Sequence, residues 1–317
     1  MSHGQKTRAV INRGPAKRGL LRQYWVHRGL VLLFVPAILY FVLFKYLPMY
    51  GVQIAFRDYK FRRGILGSDW VGLQHFRALF SMPSFWEVLR NTFIISFYKL
   101  LVGFPAPIIL ALLLNEVRHT KYKRVIQTVS YLPHFLSWVI LASIFLQLLS
   151  PSIGPVNHLI RYFGGKPIYF MADTKWFRSV LVVTSVWKGI GWGSIVYLAA
   201  LTSINPEFYE AAYIDGATRF QCVRHITLPS LTPVITIMLI FAVGNMIDDD
   251  FSQIYNMYNE AVYSVADVLS TYTYNRGLVK MEFGFASAVD LFKNVVSLIL
   301  VVGTNTIARR INEYGIW

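Results

Sequence analysis

Polar residues divide the apolar pattern of this chain into six long stretches, each near the ~20 residues a helix needs to cross a bilayer. They run about Leu30–Tyr50, Thr92–Leu114, Val125–Leu149, Val180–Leu201, Ser230–Ile247 and Ala286–Ala308. The pattern predicts an all-α membrane protein with six transmembrane helices. A tail (1–29), a spanning domain (30–308) and a second tail (309–317) make up the expected organisation. The first stretch is too long for a signal-peptide core, and no small-residue cleavage site follows it, so it is expected to stay. Pro36, Pro48, Pro105, Pro107 and Pro133 lie in or beside the stretches, where proline removes a backbone hydrogen bond and bends a helix.

Composition agrees with the pattern. Of 317 residues, 55% are hydrophobic and only 15% charged, which excludes a disordered or fibrous chain and argues against soluble domains. The net charge of +15 would point to nucleic acid in a soluble protein. Here the basic residues are scattered between apolar stretches and match no nucleic-acid motif. They are read instead as contacts with membrane lipid and as orientation signals. The tail carries Lys6, Arg8, Arg13, Lys17, Arg18, Arg22 and Arg28 and no acid, and segment 115–124 adds Arg118, Lys121, Lys123 and Arg124. Both termini, 115–124 and 202–229 are therefore expected in the cytoplasm, with 51–91, 150–179 and 248–285 outside. Cys222 is the only cysteine, so the outer segments must hold their shape by packing alone.

The segment between the fourth and fifth stretches is the most informative. Asn205 can cap a helix, Pro206 suits its first turn, and Glu207 and Glu210 lie near its positive end. Gly216 can turn the chain, and a second short helix over about 218–225 is expected to lead to Leu228-Pro229. The segment reads as an ordered helix–turn–helix at the membrane face, suited to docking a partner.

Glu210, Ala211, Ala212, Gly216, Ile226, Leu228 and Pro229 match in full the pattern Glu-Ala-Ala, three residues, Gly, nine residues, Ile, one residue, Leu-Pro. This resembles the EAA loop of ABC-importer permeases. The flanking Asn-Pro-Glu-Phe-Tyr-Glu and Asp-Gly-Ala-Thr are similar to the carbohydrate-uptake, MalF-like branch, and the likeness is greatest to LplB-type permeases and those of alginate import. It covers about residues 25–310. The resemblance implies a type I importer permease fold in the bacterial cytoplasmic (inner) membrane. The loop's short helix would be a coupling helix seated in a groove of an ATPase subunit, with Glu210 and Asp215 facing its basic or donor groups and Gly216 making the turn. The implied partners are a second homologous permease, two ATPase subunits that bind ATP and Mg, an extracytoplasmic solute-binding protein and a saccharide. The long outer loops, with Tyr59, Trp70, Tyr255, Tyr258 and Tyr263, would dock the binding protein.

Ionisable groups inside spans default to functional candidates. Lys99 and Lys188 lie deep, whereas Lys45 sits near a span end, and Asp290 and Lys293, three apart, read as a pair on one helix. Lys188 stands in Trp187-Lys188-Gly189-Ile190-Gly191-Trp192-Gly193. Indole faces stack on sugar CH surfaces and glycine admits a ring to the backbone, which fits a sugar pocket. The Gly189/Gly193 spacing fits helix packing equally well. By resemblance, and counting from the loop, Gly189, Trp192, Asn245 and Asp249 match the sugar-binding positions, with Asn245 the leading candidate. If Lys188 faces the pocket, the substrate is anionic, as a uronic-acid oligosaccharide is. Asp248-Asp249-Asp250 lacks the spacing of a metal site and is expected to end the fifth span in an outer vestibule.

Walker A, His-Glu-x-x-His, Cys-x-x-Cys and Gly-x-Ser-x-Gly patterns are absent from the sequence. No catalytic or metal-binding role is assigned to this chain, and ATP hydrolysis is assigned to a partner. An ion-coupled secondary carrier is the rival reading, but it needs inverted repeats or midplane carboxylates, and only Asp290 lies within a span.

Overall fold

A computed structural model describes residues 28–248, 250–312 and 315, and the chain falls into two units, up to Gln53 and from Ile54 onward. Most of the basic tail, Asp249 and part of the C-terminal tail lie outside the described residues. Among the described residues, five helical stretches are long and apolar enough to cross a membrane, and six if one bent pair counts as a single span.

The first, α1 (Arg28–Phe56), exposes nearly all its described apolar side chains, as a helix facing lipid does. In the second unit, α2 (Pro83–Glu116) begins on a proline, whose missing N–H is an unpaired donor position in any case. It starts nine residues before the apolar stretch, and Asn91 in its first turns bonds segment 264–267. The third apolar stretch is not one helix. α3 (Thr120–Phe135) and α4 (Trp138–Leu148) meet at 105°. Pro133 tightens the end of α3 into a 3₁₀ turn, Leu136 is extended, and the Ser137 hydroxyl caps α4 by accepting from Ile140 N at 3.4 Å. α5 (Pro155–Tyr162) lies in the next connecting segment, and α6 (Phe177–Leu201) is the fourth span.

α7 (Glu207–Ile214) follows, and then α8 (Arg219–Gly244). The expected separate helix before the fifth span is instead continuous with it. A π-turn at Val223–Thr227, in which Leu228 N–H donates to Val223 O, carries the chain past Pro229, which has no N–H to give. Segment 248–285 is largely helical, with α9 (Phe251–Met257) and α10 (Leu269–Tyr274), and α11 (Phe283–Asn312) is the last span.

At one end of this unit the connecting segments are bound by buried amides. Asn157, fully buried, donates to Leu149 O, Ser150 O and Ile168 O at 3.0–3.1 Å and accepts from Ile168 N at 2.7 Å. Asn91 on α2 donates to Ser264 O and Asp267 O and accepts from Arg178 of α6 at 2.7 Å. Such bonds fix loops that no disulfide crosses, since an unpaired buried amide would cost about 1–3 kcal/mol. An apolar cluster around Trp138, Leu141, Phe177, Leu181, Ile254 and Val262 completes this end.

Candidate functional site

Two regions lie at different levels of the second unit. The first is the loop between α6 and α8. Asn205 Oδ1 accepts from Glu207 N at 3.1 Å, and Asn205 Nδ2 donates to the Glu207 carboxylate at 3.0 Å, so this residue starts α7. Gly216 takes φ +80°, a conformation that costs L side chains, and turns the chain. Thr218 and Gln221 then form a reciprocal capping box that starts α8. Tyr209 of α7 is bonded to the Thr227 hydroxyl at 2.9 Å, which holds the two helices together. Arg219 lies 3.7 Å from Glu116 at the end of α2, so segments 115–118 and 205–227 share one end. Phe208, Ile214 and Phe220 are exposed there, as are Glu207, Glu210, Ala211 and Asp215, while Ala212 and Ile226 are half-buried. Local desolvation, then Cys222 and Glu116, push the Tyr213 phenol above its ordinary value.

The second region is a cleft of 420 Å³ between α2, α6 and the C-terminal end of α8. Ser96, Lys99, Ser185, Tyr197, Asn245, Asp248 and Asp250 form its polar lining, and Phe104, Pro107, Met238 and Phe241 lie in the apolar part. A neighbouring cavity of 520 Å³ shares Phe241, Asn245 and Asp248 with it and adds Asp290, Lys293 and Asn294 from α11. These volumes suit a small-molecule site. Asn245, where α8 ends, borders both.

The cleft is held by a chain of bonds. Trp138 Nε1 donates to Asp250 at 2.6 Å, and Asp250 caps α9 by accepting from Gln253 N at 3.2 Å. The buried Gln253 amide donates to Leu181 O and to the Thr184 hydroxyl, and its carbonyl accepts from Lys99. Lys293 of α11 is paired at 2.7 Å with Asp248, in the turn after α8, and its charge also acts on Asp290, the partner expected on the same helix. Among the described residues, no group of three His, Cys, Asp or Glu is placed to hold a metal ion. Asp249 lies outside them.

The Trp187–Gly193 segment splits between two faces. Ser185, Gly189, Gly193 and Tyr197, four apart, form one row of α6, and three of them line the cleft. Open space lies over Gly189, whereas a Cβ at Gly193 would come within 3.0 Å of the Pro107 ring, so the two glycines do not form one packing stripe. Close packing falls on Gly191, where a Cβ would collide with the Ser130 carbonyl. Trp187, Lys188 and Trp192 face the broken third span. Trp187 meets Phe145 edge-on at 5.6 Å, and Trp192 stacks on His134 at 4.5 Å. Lys188 donates to Leu136 O and, at 3.4 Å, to His134 O, with its ammonium 5.1 Å from the Trp138 ring. A break inside a membrane span frees backbone carbonyls that lipid cannot satisfy, and the ammonium supplies the donors. Lys188 is thus committed to backbone, and it does not line the cleft with Asn245. Lys99, Ser96, Ser185, Tyr197 and Asp250 line the cleft without standing out in sequence as a group. Their only shared signal was polarity within or beside a span.

The comparisons with known proteins fit this geometry. The family described as binding-protein-dependent transport system inner membrane component matches residues 103–312. The chain is 43% identical to the polygalacturonan/rhamnogalacturonan transport system permease protein YteP of Bacillus subtilis (strain 168), over 98% of this chain and 96% of that protein. It is 45% identical to protein LplB of the same organism, over 94% of this chain and 92% of that one. Among solved structures it is similar to a chain of a bacterial alginate ABC transporter in complex with an alginate pentasaccharide-bound periplasmic protein. That match has 39% identity and a TM-score of 0.86, and covers 94% of this chain and 100% of the other. An apolar multi-span unit, an ordered loop at one end, a polar cleft between the spans and these likenesses together assign the chain: it belongs to the inner membrane components of binding-protein-dependent transport systems.

Proposed function

We propose that this chain is one permease of an ATP-driven importer that takes up oligosaccharides of uronic-acid type. The observation that carries the reading is the pairing of the matched loop Asn205–Pro229 at one end with the polar cleft around Asn245. The saccharide class is supported by the named substrates of the relatives. Charge in the cleft does not add to this, because Lys99 and Lys293 stand among Asp248, Asp250 and Asp290. Anion selectivity then falls to a second homologous permease or to the extracytoplasmic binding protein.

In this reading α7 is the coupling helix. Exposed Glu210 and Asp215 meet basic or donor groups of an ATPase subunit, Ala211 and Ala212 allow close approach, and Gly216 sets the turn. Ile226, Leu228 and Pro229 carry movement into α8, which ends at Asn245 beside the cleft. Two ATPase subunits bind ATP and Mg and hydrolyse the nucleotide, and this chain moves the sugar. Both termini, 115–124 and 202–229 lie in the cytoplasm. The Glu116–Arg219 contact supports placing the two loops on one side, and the basic tail supports naming that side. Asn245, Gly189 and Asp249 are the substrate residues we favour here.

The test is ATPase activity and uptake by the complex in lipid vesicles, with binding protein loaded with neutral or acidic oligosaccharides. Acidic loading is expected to stimulate both. Glu210→Lys is expected to lower stimulated ATPase activity and uptake together by about tenfold or more, with normal membrane insertion, since reversing a charge at a docked face costs several times a neutral loss. Wild-type stimulation in that variant would remove the coupling assignment.

A further inference from the structure

The outer segment after α8 carries five aromatic rings in an unbroken series. Tyr263 lies 4.8 Å from Tyr258, Tyr258 5.9 Å from Tyr255, and Tyr255 5.0 Å from Phe251, ring centre to ring centre. Tyr274 of α10 closes the inner end, 5.0 Å from Tyr255 and 5.2 Å from Phe251. The series is mounted on a rigid base. On α9, Gln253, Ile254 and Met257 are buried, while Phe251 and Tyr255 fall on the other side, with Tyr258 just past the helix end. Val262 and Ala266 are buried beneath Tyr263 in the same way. A cluster that served packing alone would be shut away from water, yet Tyr255 is 39% and Tyr263 43% exposed.

The series also leads inward. Phe251 and Tyr274 line a cavity of 430 Å³ that reaches Asp290 and Lys293. The same two charged residues border the next cavity, which contains Asn245. Tyrosine presents a flat apolar face with a polar rim, and a pyranose presents CH faces rimmed by hydroxyls. Steps of about one ring width between successive aromatics suit a chain of such rings.

We propose that Tyr263, Tyr258, Tyr255, Phe251 and Tyr274 form a stacking track along which a saccharide chain passes from the outer loops to the cavities at Asn245. This inference rests on the saccharide reading above. A folded protein partner cannot follow the series into a cavity, whereas a narrow extended chain can. Because rings are engaged one after another, the contribution of the track grows with the length of the substrate.

The test uses the full complex in lipid vesicles, with uronic-acid oligosaccharides of two and five residues as probes. Tyr255→Leu and Tyr263→Leu keep apolar bulk and remove the flat face, and the Phe variants keep the face and remove the hydroxyl. In the Leu variants, uptake of the five-residue probe is expected to fall by about threefold to tenfold and that of the two-residue probe by less than about twofold. The Phe variants are expected to retain uptake of both. ATPase stimulation by loaded binding protein is expected to stay near wild type in all four. Equal losses for both probes, or no loss, would overturn the track. A matching loss of ATPase stimulation would overturn it in favour of a docking surface for the binding protein. Wild-type vesicles that take up neither probe would overturn the saccharide reading itself, and this outcome is read before any variant is made.

Discussion

The loop Asn205–Pro229 and the segment Trp187–Gly193 lie next to each other in sequence, yet different forces shape them. In the loop, the deciding contacts are local. Asn205 reaches Glu207, Thr218 reaches Gln221, and Gly216 supplies its own turn. In the segment, every deciding contact crosses the fold. Lys188 reaches Leu136, Trp192 reaches His134, and Gly191 abuts Ser130. Local chemistry builds a face that can keep its form while the spans around it move. Long-range contacts make the middle of α6 a junction between the broken span and the cleft.

The largest expected effect strikes the junction. Gly191→Ala would drive a methyl group into the Ser130 carbonyl, backbone against backbone, where no side chain can yield. A loss of about 3 kcal/mol is expected, read as a lower thermal unfolding midpoint of the purified complex. A midpoint equal to wild type would mean that α3 and α6 do not pack this closely.

Lys188→Leu comes next. It leaves the carbonyls of His134 and Leu136 without their donor, at a cost of about 2 kcal/mol. Uptake of neutral and acidic substrates is expected to fall equally, and Lys188→Arg is expected to recover part of the stability. A loss confined to acidic substrates, with stability intact, would return Lys188 to the list of substrate contacts.

Thr218→Ala tests the other side of the comparison. Losing the capping box is expected to cost about 1 kcal/mol of local helix stability. Hydrogen exchange should quicken at residues 218–222 and not at the cleft. Exchange that quickened throughout α6 would show that the loop is not an independent unit.

The smallest effect on stability is expected at Gly189→Ala, over which there is open space. Stability should hold or rise by about 0.5 kcal/mol, because alanine favours a helix over glycine. Any change in uptake would then report the row of α6 whose other members line the cleft. A clear loss of stability would place Gly189 in packing and not on the cleft.

Much of this organisation was legible in the sequence for simple reasons. Lipid cannot hydrogen-bond a backbone, so long apolar stretches become helices whatever surrounds them, and five of the six expected spans are single helical stretches. The loop was legible down to its cap and its turn. Its continuity with the fifth span was not, because a proline at 229 signals an ending, and only the π-turn before it lets the helix run on. The break in the third span was half-legible. Pro133 marked a bend, but its 105° angle depends on Leu136 taking an extended conformation with its carbonyl held by Lys188.

Asn245 could be placed from the sequence because it sits a fixed count beyond a recognisable loop, at the end of a helix that begins there. Trp187, Lys188 and Trp192 were read together with Gly189 because they are neighbours in sequence, but successive residues on a helix point about 100° apart. Which face meets the cleft, and which meets the broken span, depends on the neighbours that α6 acquires. The same holds for Lys293 of α11, whose partner Asp248 arrives from the turn after α8. Hydropathy, capping and turn preferences act within a few residues, so the sequence by itself determined the long apolar spans and the ordered loop, and the motif in that loop pointed to the class of protein through its resemblance to importer permeases. Only the tertiary structure decided which polar groups share a cavity, because that depends on contacts between residues far apart along the chain.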